Sequence, residues 1–306
     1  MSCPSWLQHP LKGLLLDIYG VLINSTDAGP KLIDGSLDAV QRLKSASIPL
    51  RFCTNESQLS QEKVVERLRS LGFPVEAHEV FSPIPAVKNI LHKRNLRPYT
   101  ILHDNARDVF NEFDHANPNC VVIGDAGKNF TYDALNEAFH VLMNHPVLIT
   151  MGYGKFYKEN DQLVLDVGAF SKALEFSCNV TPTIVGKPSE DYFKTALNDM
   201  GVTPSEGMMI GDDIVGDVGG AQNCGMRGVQ VRTGKYRWGS RHGMNMFASS
   251  DARQIFFKAN CKKLCLFHRS CGRFHKSVLQ YFFHILFKGK YERRAYYKIY
   301  RNYFVK

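Results

Sequence analysis

Long apolar runs are absent from this chain of 306 residues. No segment approaches the roughly 18–20 consecutive apolar residues that a transmembrane helix needs, so we expect no transmembrane segment. The apolar run Leu14–Leu16 is too short for a secretory signal peptide and runs directly into Asp17. Without an export signal, eight cysteines in a chain of this length favour reduced thiols in the cytosol. The sequence therefore predicts a cytoplasmic protein.

Recognisable nucleotide and zinc motifs are also lacking. The glycine-rich stretch GDVGG (216–220) has neither Walker spacing nor a following Lys-Ser/Thr pair, so nucleotide binding is unsupported. Five potential zinc ligands lie close together near the C-terminus: Cys261, Cys265, His268, Cys271 and His275. Because their spacing matches no structural zinc pattern, a chance cluster is favoured over a metal site.

The net charge of +9 belongs to one end of the chain. Residues 251–306 hold 14 Lys and Arg against Asp251 and Glu292, whereas residues 1–250 hold 24 basic and 27 acidic residues. This split marks a composition boundary near residue 245. The basic character therefore does not describe the preceding part, for which we expect no nucleic-acid partner.

Ahead of that boundary, strand-like and helix-like segments alternate. Amphipathic helices are predicted at 60–71, with an apolar face of Val64, Val65 and Leu68, and at 189–200, where Ser189 can cap the start. Short apolar runs predict buried strands at 13–18, 49–54, 99–103, 120–124, 146–151, 183–186, 207–212 and 228–232. Repeated β–α units of this kind predict an α/β fold with a parallel sheet covered by helices.

Four polar residues fall at the ends of these predicted strands: Asp17, Thr54, Lys187 and Asp212. Ligands of parallel sheets bind at the carboxyl ends of the strands. Converging carboxylates beside one lysine can hold Mg²⁺, which binds through a few carboxylates, waters and substrate phosphate. The pattern therefore indicates phosphoryl-transfer chemistry.

The motifs DIYGVL (17–22), CTN (53–55), GKP (186–188) and GDDIVGD (211–217) resemble those of the haloacid-dehalogenase superfamily of phosphatases. This resemblance implies a Rossmann-like, doubly wound parallel sheet formed by residues 11–96 and 182–241, with an inserted α/β cap domain at 97–181. It also implies dependence on Mg²⁺, a homodimer, and a cytosolic to nuclear location.

Longer phrases narrow the resemblance to a branch of the superfamily that acts on phosphoramidates and inorganic pyrophosphate. They are RFCTNES (51–57), NPNCVVI (117–123), LDVG (165–168), GDDIVGDVGGAQ (211–222) and QVRTGKYR (230–237). The expected function is Mg²⁺-dependent hydrolysis of P–N bonds, as in phosphohistidine and phospholysine, and of pyrophosphate. Two alternatives stay open: a small-molecule phosphate monoesterase, or a catalytically impaired splice variant with a binding or regulatory role.

The expected catalytic roles belong to three residues. Asp17 would be the nucleophile, forming an aspartyl-phosphate, because a covalent intermediate divides one hard displacement into two easier ones. Lys187 would neutralise the charge of the nucleophile and the phosphoryl group. Thr54, with the amide of Asn55, is suited to donating hydrogen bonds to phosphoryl oxygens.

The metal and substrate contacts complete the expected site. The carboxylates of Asp17 and Asp212 would bind the metal, and the resemblance implies the backbone carbonyl of Tyr19 as a further ligand. Asp213 and Asp217 would hold metal-bound waters or Lys187. The substrate-binding set is expected to comprise Asp17, Ile18, Tyr19, Thr54, Asn55 and Lys187.

Two features depart from the superfamily pattern. The general pattern has an acid two residues after the nucleophile, the resembled branch has a small serine there, and this chain has Tyr19. A tyrosine is a weak substitute for a carboxylic acid, and its ring would narrow the space above Asp17. The second departure is the basic, aromatic tail at 242–306. It does not resemble the closing strand and helix of the fold. A disordered stretch is favoured there over a basic, interfacial amphipathic segment.

Overall fold

The computed structural model describes residues 10–236 and the backbone of a strand at Ile255–Phe257. The strands are, in chain order, β1 (Gly13–Leu16), β2 (Ile23–Asn24), β3 (Lys31–Leu32), β4 (Leu50–Cys53), β5 (Val80–Phe81), β6 (Pro98–Ile101), β7 (Cys120–Ile123), β8 (Leu148–Thr150), β9 (Phe156–Glu159), β10 (Gln162–Leu165), β11 (Thr183–Ile184), β12 (Gly207–Gly211), β13 (Arg227–Val231) and β14 (Ile255–Phe257). The helices are α1 (Ser36–Ser45), α2 (Gln61–Ser70), α3 (Pro83–Lys93), α4 (Asp104–Arg107), α5 (Tyr132–Asn144), α6 (Val167–Cys178), α7 (Glu190–Asp199) and α8 (Gly220–Asn223). Within these residues, no helix has the length and apolar character to cross a bilayer.

The larger sheet, called the core sheet below, has the strand order β14-β13-β12-β1-β4-β5 and is parallel throughout. Its central strands β1 and β12 are buried at every position. Continuous apolar runs such as GLLL in β1 are typical of parallel strands covered on both faces. The predicted Rossmann-like α/β core is therefore confirmed.

A second parallel sheet, called the cap sheet, has the order β11-β8-β7-β6. The antiparallel hairpin β9–β10 lies between β8 and α6 in the chain. One face of the cap sheet packs with α5 and α6 through residues such as Val121, Leu142 and Leu174. The inserted α/β cap is thus a sheet-and-helix unit with its own apolar cores.

Two elements outside the predicted cap range of 97–181 contact the cap sheet. Helix α3 buries Ile84, Val87 and Leu91 in the same apolar cluster as Val122 of β7. At the other end, β11 pairs with β8 rather than with a strand of the core sheet, although the prediction assigned it to the core. The pairing of β11 and the packing of α3 show that both elements contact the cap sheet, and the domain bounds 11–96, 97–181 and 182–241 stay a prediction.

The two helices predicted in detail lie where expected. Helix α2 buries Val64, Val65 and Leu68, and the Ser60 side chain accepts a hydrogen bond from the Lys63 N–H at its start. Helix α7 follows Ser189, but the Ser189 side chain forms no capping hydrogen bond, contrary to prediction. The acidic residues Glu190 and Asp191 occupy the first turn of α7 instead, where they are favourable to the helix dipole.

The chain after residue 236 is described only as β14, which pairs in parallel with β13 at the edge of the core sheet. The prediction that the tail 242–306 is disordered otherwise falls outside the described residues. The same applies to the cysteine and histidine cluster at 261–275.

Candidate active site

All the predicted site residues except Ile18 line one cavity of about 1220 Å³. Asp17, Thr54 and Asp212 each follow a strand of the core sheet, namely β1, β4 and β12. Lys187 arrives from the other side, three residues after β11 of the cap sheet. Both sheets thus contribute strand-end residues to the same cavity.

Lys187 links two of the buried carboxylates. Its Nζ lies 2.7 Å from Asp17 Oδ1 and 2.7 Å from Asp217 Oδ1, and it donates to the Cys53 carbonyl at 3.1 Å. Burial alone would lower the pKa of Lys187, but the charges of Asp17 and Asp217 outweigh burial and raise the pKa. The lysine therefore stays protonated and supplies one fixed positive charge beside the predicted nucleophile.

Asn55 fixes the backbone that carries this lysine. Its Nδ2 donates to the Lys187 carbonyl at 2.9 Å, and its Oδ1 accepts from the Lys187 N–H at 2.7 Å. Because this pairing occupies the side-chain amide of Asn55, the predicted contact with a phosphoryl group rests on the Asn55 backbone N–H. The side chain instead links the loop that follows β4 (residues 54–60, called the core loop below) to the turn that carries Lys187.

Thr54 is buried with its hydroxyl proton left available. The Thr54 Oγ1 accepts from the Glu56 N–H at 3.0 Å, and the Thr54 carbonyl accepts from Tyr192 Oη at 3.0 Å. Since the hydroxyl oxygen acts as acceptor to Glu56, its own proton can be donated into the cavity. This arrangement suits the predicted contact of Thr54 with a phosphoryl oxygen.

Three carboxylates form an oxygen-lined group: Asp17, Asp212 and Asp217 each place a carboxylate oxygen within 4.8 Å of the others. Burial, reinforced by Asp17, raises the pKa of Asp217 to about 7, and burial raises the pKa of Asp212 well above its usual value. Like charges this close are stabilised by a cation, and oxygen donors are those that Mg²⁺ prefers. The residues present therefore fit a divalent metal ion.

The backbone around Asp212 is built for close approach. A Cβ added to Gly20 would lie 2.2 Å from Asp212 Oδ2, and one added to Gly234 would lie 2.0 Å from the same atom. Both glycines have positive φ, of 82° and 62°. The Asp212 carboxylate therefore sits in a cradle that any larger residue at either position would fill.

Asp213 and Asp217 have different surroundings. Asp213 Oδ2 pairs with Lys235 Nζ at 2.8 Å, and Asp213 Oδ1 accepts from the Val215 N–H at 2.9 Å. It thereby caps a turn of π-helix at Ile214–Gly219. Asp217 lies beside Asp17, Asp212 and Lys187. Of this pair, only Asp217 therefore belongs to the oxygen-lined group.

Lys235 and Gln230 belong to the site but carried no chemical prediction. The Lys235 N–H donates to Asp212 Oδ2 at 2.8 Å, and Gln230 Nε2 donates to the Asp212 carbonyl at 3.1 Å. Both lie in the segment QVRTGKYR (230–237), which was noted only for its likeness to the superfamily branch. That likeness was the one sequence feature that could have indicated their role, since neither residue stands at a predicted strand end beside other polar groups.

Ile18 and Tyr19 follow the nucleophile position with their side chains directed to other partners. The Ile18 side chain is fully buried, while its N–H donates to Asp17 Oδ1 at 2.8 Å. Tyr19 packs against the apolar core, and its Oη accepts from Arg67 Nη1 at 2.6 Å. Burial, with Glu56 close by, raises the pKa of Tyr19, so its hydroxyl keeps its proton.

The cap contributes polar and aromatic side chains to the cavity that sequence alone placed only coarsely. Those that follow strands of the cap sheet or lie in the hairpin region are Asp125, Tyr153, Phe156, Tyr157 and Asp166. They are half-buried, in contrast to the buried Lys187 and the buried carboxylates that follow strands of the core sheet.

Comparisons with known proteins address the family and the fold of this chain. The haloacid dehalogenase-like hydrolase profile matches residues 14–116, and the HAD-hydrolase-like profile matches residues 184–246. The phospholysine phosphohistidine inorganic pyrophosphate phosphatase of Danio rerio is 54% identical over 229 residues, which cover 74% of this chain and 85% of that protein. The protein of the same name from Homo sapiens is 52% identical over 234 residues, covering 76% and 87%.

A solved structure gives the same result for the fold. The 4-nitrophenylphosphatase of Thermotoga maritima matches with a TM-score of 0.65 at 26% identity, covering 74% of this chain and 88% of that one. Each of these relatives is named as a phosphatase.

Proposed function

This chain belongs to the haloacid dehalogenase-like hydrolase family and is a phosphatase, and from that premise we propose that it hydrolyses P–N bonds and inorganic pyrophosphate with Mg²⁺. The substrate class is supported by relatives at 52–54% identity that carry phospholysine, phosphohistidine and pyrophosphate in their names. The chemistry is supported by one observation above the others. Lys187 bridges Asp17 and Asp217 at 2.7 Å beside the carboxylate of Asp212.

Asp17 is the proposed nucleophile. Its Oδ1 is held by Lys187 Nζ and by the Ile18 N–H, which leaves Oδ2 to attack phosphorus. The new bond forms between Asp17 and phosphorus while the bond to the leaving group breaks, giving an aspartyl-phosphate that water then hydrolyses. Two hydrogen bonds on one oxygen fix the rotamer of the nucleophile before substrate arrives.

Positive charge and hydrogen-bond donors stabilise the transferred group. Lys187 neutralises charge beside Asp17, and the hydroxyl of Thr54 with the Asn55 backbone N–H donates to phosphoryl oxygens. Asp17 and Asp212, with the Tyr19 carbonyl, would bind Mg²⁺, and Asp217 lies beside them. When bound, the ion offsets the repulsion between the Asp17 carboxylate and the phosphoryl oxygens.

A substrate panel tests this proposal. We expect turnover of imidazole phosphate, phospholysine and pyrophosphate with Mg²⁺, and loss of turnover with excess EDTA that is restored by added Mg²⁺. Turnover of neither P–N compounds nor pyrophosphate under saturating Mg²⁺ would refute the proposed substrate class.

A phosphate monoesterase is the second candidate, and one observation favours it. The 4-nitrophenylphosphatase that shares the fold is named for a monoester substrate. Including an alkyl phosphate and 4-nitrophenyl phosphate in the same panel separates the two functions. The P–N proposal requires higher kcat/KM for imidazole phosphate than for the alkyl phosphate, because the loop after Asp17 offers Tyr19 rather than a carboxylic acid to protonate an alkoxide.

A homodimer and a cytosolic to nuclear location belong to the same proposal and are supported by the family resemblance. Light scattering after size-exclusion chromatography measures the first. Fractionation of cells that express the full chain measures the second.

A further inference from the structure

A chain of hydrogen bonds ends at a carboxyl group that the mechanism above does not use. Glu56 lies two residues after Thr54 and lines the same cavity as Asp17 and Lys187. Its Oε1 accepts from the Gln58 N–H at 2.7 Å. Burial raises the pKa of its carboxyl, and the Gln58 N–H and the nearby Tyr19 hydroxyl act against that rise by favouring the charged form. Glu56 is thus fixed in position at the cavity wall.

The direction of this hydrogen-bond chain is set by Arg67. A guanidinium can only donate, so Arg67 Nη1 donates to Tyr19 Oη across 2.6 Å. The Tyr19 hydroxyl stays protonated and directs its O–H toward the Glu56 carboxyl, which therefore acts as the acceptor. Arg67 on α2 thereby orients Tyr19, and Tyr19 orients Glu56.

The cap adds a second carboxyl group near this point of the cavity. Gln58 Nε2 donates to Asp125 Oδ2 at 2.8 Å, and the Asp125 N–H donates to Ser57 Oγ at 2.8 Å. Asp125 lines the cavity, and its negative charge adds to the burial that raises the pKa of Glu56. The segment that follows Thr54 is therefore bound to the strand end of β7 and presents acceptors to the cavity.

The leaving groups of the proposed substrates carry different charges at the moment of bond cleavage: a protonated, cationic nitrogen in a phosphoramidate and an anionic phosphate in pyrophosphate. In a phosphoramidate the nitrogen is first protonated from solvent. The P–N bond then breaks with its electron pair on nitrogen, while Asp17 forms the new bond to phosphorus, and a neutral amine departs. Pyrophosphate instead releases an anionic phosphate. A carboxylate beside the leaving group attracts the protonated nitrogen and repels the phosphate.

We propose that Glu56 determines specificity by accepting a hydrogen bond from the protonated nitrogen of a phosphoramidate, so that the enzyme favours P–N substrates over pyrophosphate. Tyr19 and Arg67 are positioning residues that act through Glu56. The inference rests on the proposed function and names which of its two substrate classes this site is built to prefer.

The substitution Glu56→Gln tests the charge with little change of shape. We expect kcat/KM for imidazole phosphate and phospholysine to fall at least about tenfold, as for the loss of a charged hydrogen bond. For pyrophosphate we expect kcat/KM to stay unchanged or to rise, since a repulsive charge is removed. The matched control is Glu66→Gln, which removes the same charge from an exposed position on α2 and should leave both values unchanged.

Two outcomes would overturn the inference: an equal loss for both substrates, which indicates a structural role, or no change for either substrate. If E56Q does not fold, Y19F decides instead. Tyr19→Phe keeps the ring packing and the Glu56 charge but removes the donated hydrogen bond, so a shift of about threefold in the same direction is expected. Wild-type protein that hydrolyses neither substrate would refute the proposed function itself, whereas normal turnover with an unmoved ratio would refute only the role of Glu56.

Discussion

The core sheet and the cap sheet both direct carboxyl ends of parallel strands toward one cavity, yet they end in different kinds of residue. Core strands end in Asp17, Thr54 and Asp212, which are 7%, 1% and 6% exposed. Cap strands β7 and β8 are followed by Asp125 and Tyr153, which are half-buried. Residues at the carboxyl ends of parallel strands thus form a buried, charged cluster on the core side of the cavity and a more exposed, polar and aromatic surface on the cap side.

The difference follows from how each group is stabilised. Buried charges are tolerated only when they are paired, and the core carboxylates share Lys187 and the backbone donor of Lys235. Tyr153 of the cap pairs instead with Glu175 within the cap, and Asp125 with Gln58 and Ser57 of the core loop. We infer that the core side fixes the reaction, whereas the cap side and the loop facing it select the leaving group.

The largest expected effect comes from Asp17→Asn, which removes the nucleophile with almost no change in volume. The kcat for every substrate should fall by more than about 10³-fold, as for other lost nucleophiles. Asp125→Asn on the cap side is the comparison variant and should change kcat/KM by only a few fold, by an amount that depends on the substrate. Steady-state kinetics with at least two substrates measures both. More than a few per cent of wild-type activity in Asp17→Asn would contradict covalent catalysis.

Lys187→Met should damage the fold as well as the reaction. It leaves Asp17 and Asp217 buried without their cation, and breaking a buried pair from one side costs about 3–5 kcal/mol in the free energy of unfolding. Lys194→Met is the matched control, because Lys194 pairs with Glu190 at the surface, where an ion pair contributes about 0–1 kcal/mol. Urea unfolding in EDTA measures both variants. Equal losses in the free energy of unfolding would show that the ion pairs of Lys187 contribute no more to stability than the surface pair of Lys194.

The core side was the part of this comparison that sequence could predict. Apolar runs that end in Asp17, Thr54 and Asp212 indicate both buried strands and the edge at which their side chains meet. Lys187 was predicted at the same edge, although its strand β11 belongs to the cap sheet. A two-residue strand carries no pattern that tells which sheet it joins, so its pairing becomes visible only in three dimensions.

The contacts around Tyr19 could not be predicted for a related reason. Arg67 lies 48 residues away on the partly buried side of α2, where a basic residue indicates an ordinary solvated helix. The close approach of Lys235 to Asp212 likewise joins positions 23 residues apart that share no periodic pattern. Side-chain pairing across loops depends on how elements pack, which local sequence patterns do not encode.

Metal dependence should separate Asp212 from its neighbour Asp213. Asp212→Asn removes a carboxylate from the oxygen-lined group, so the Mg²⁺ concentration for half-maximal activity should rise by at least about 10–100-fold, which is the cost of losing even an outer-shell partner of a metal ligand. Asp213→Asn should have a smaller effect on that concentration, because Asp213 pairs with Lys235 and caps a turn. Titration of activity with Mg²⁺ at saturating substrate measures both. A larger shift in Asp213→Asn than in Asp212→Asn would reverse the assignment.

The smallest expected effect is a pH dependence of metal binding that arises on the core side. Burial and the nearby Asp17 raise the pKa of Asp217 to about 7 without a metal, against about 4 for an aspartate in the unfolded chain. Between these values the folded state binds the additional proton, so metal-free stability should fall as pH rises from about 4 to 7 and then level off. A divalent cation in the carboxylate group displaces that proton, so the apparent affinity for Mg²⁺ should rise by up to about tenfold per pH unit below pH 7. Thermal-shift titrations with Mg²⁺ at pH 6 and pH 8 measure this rise, and Asp217→Asn should flatten it. A wild-type affinity that is the same at both pH values would show that Asp217 is already ionised when the metal binds, and that Lys187 alone holds its charge.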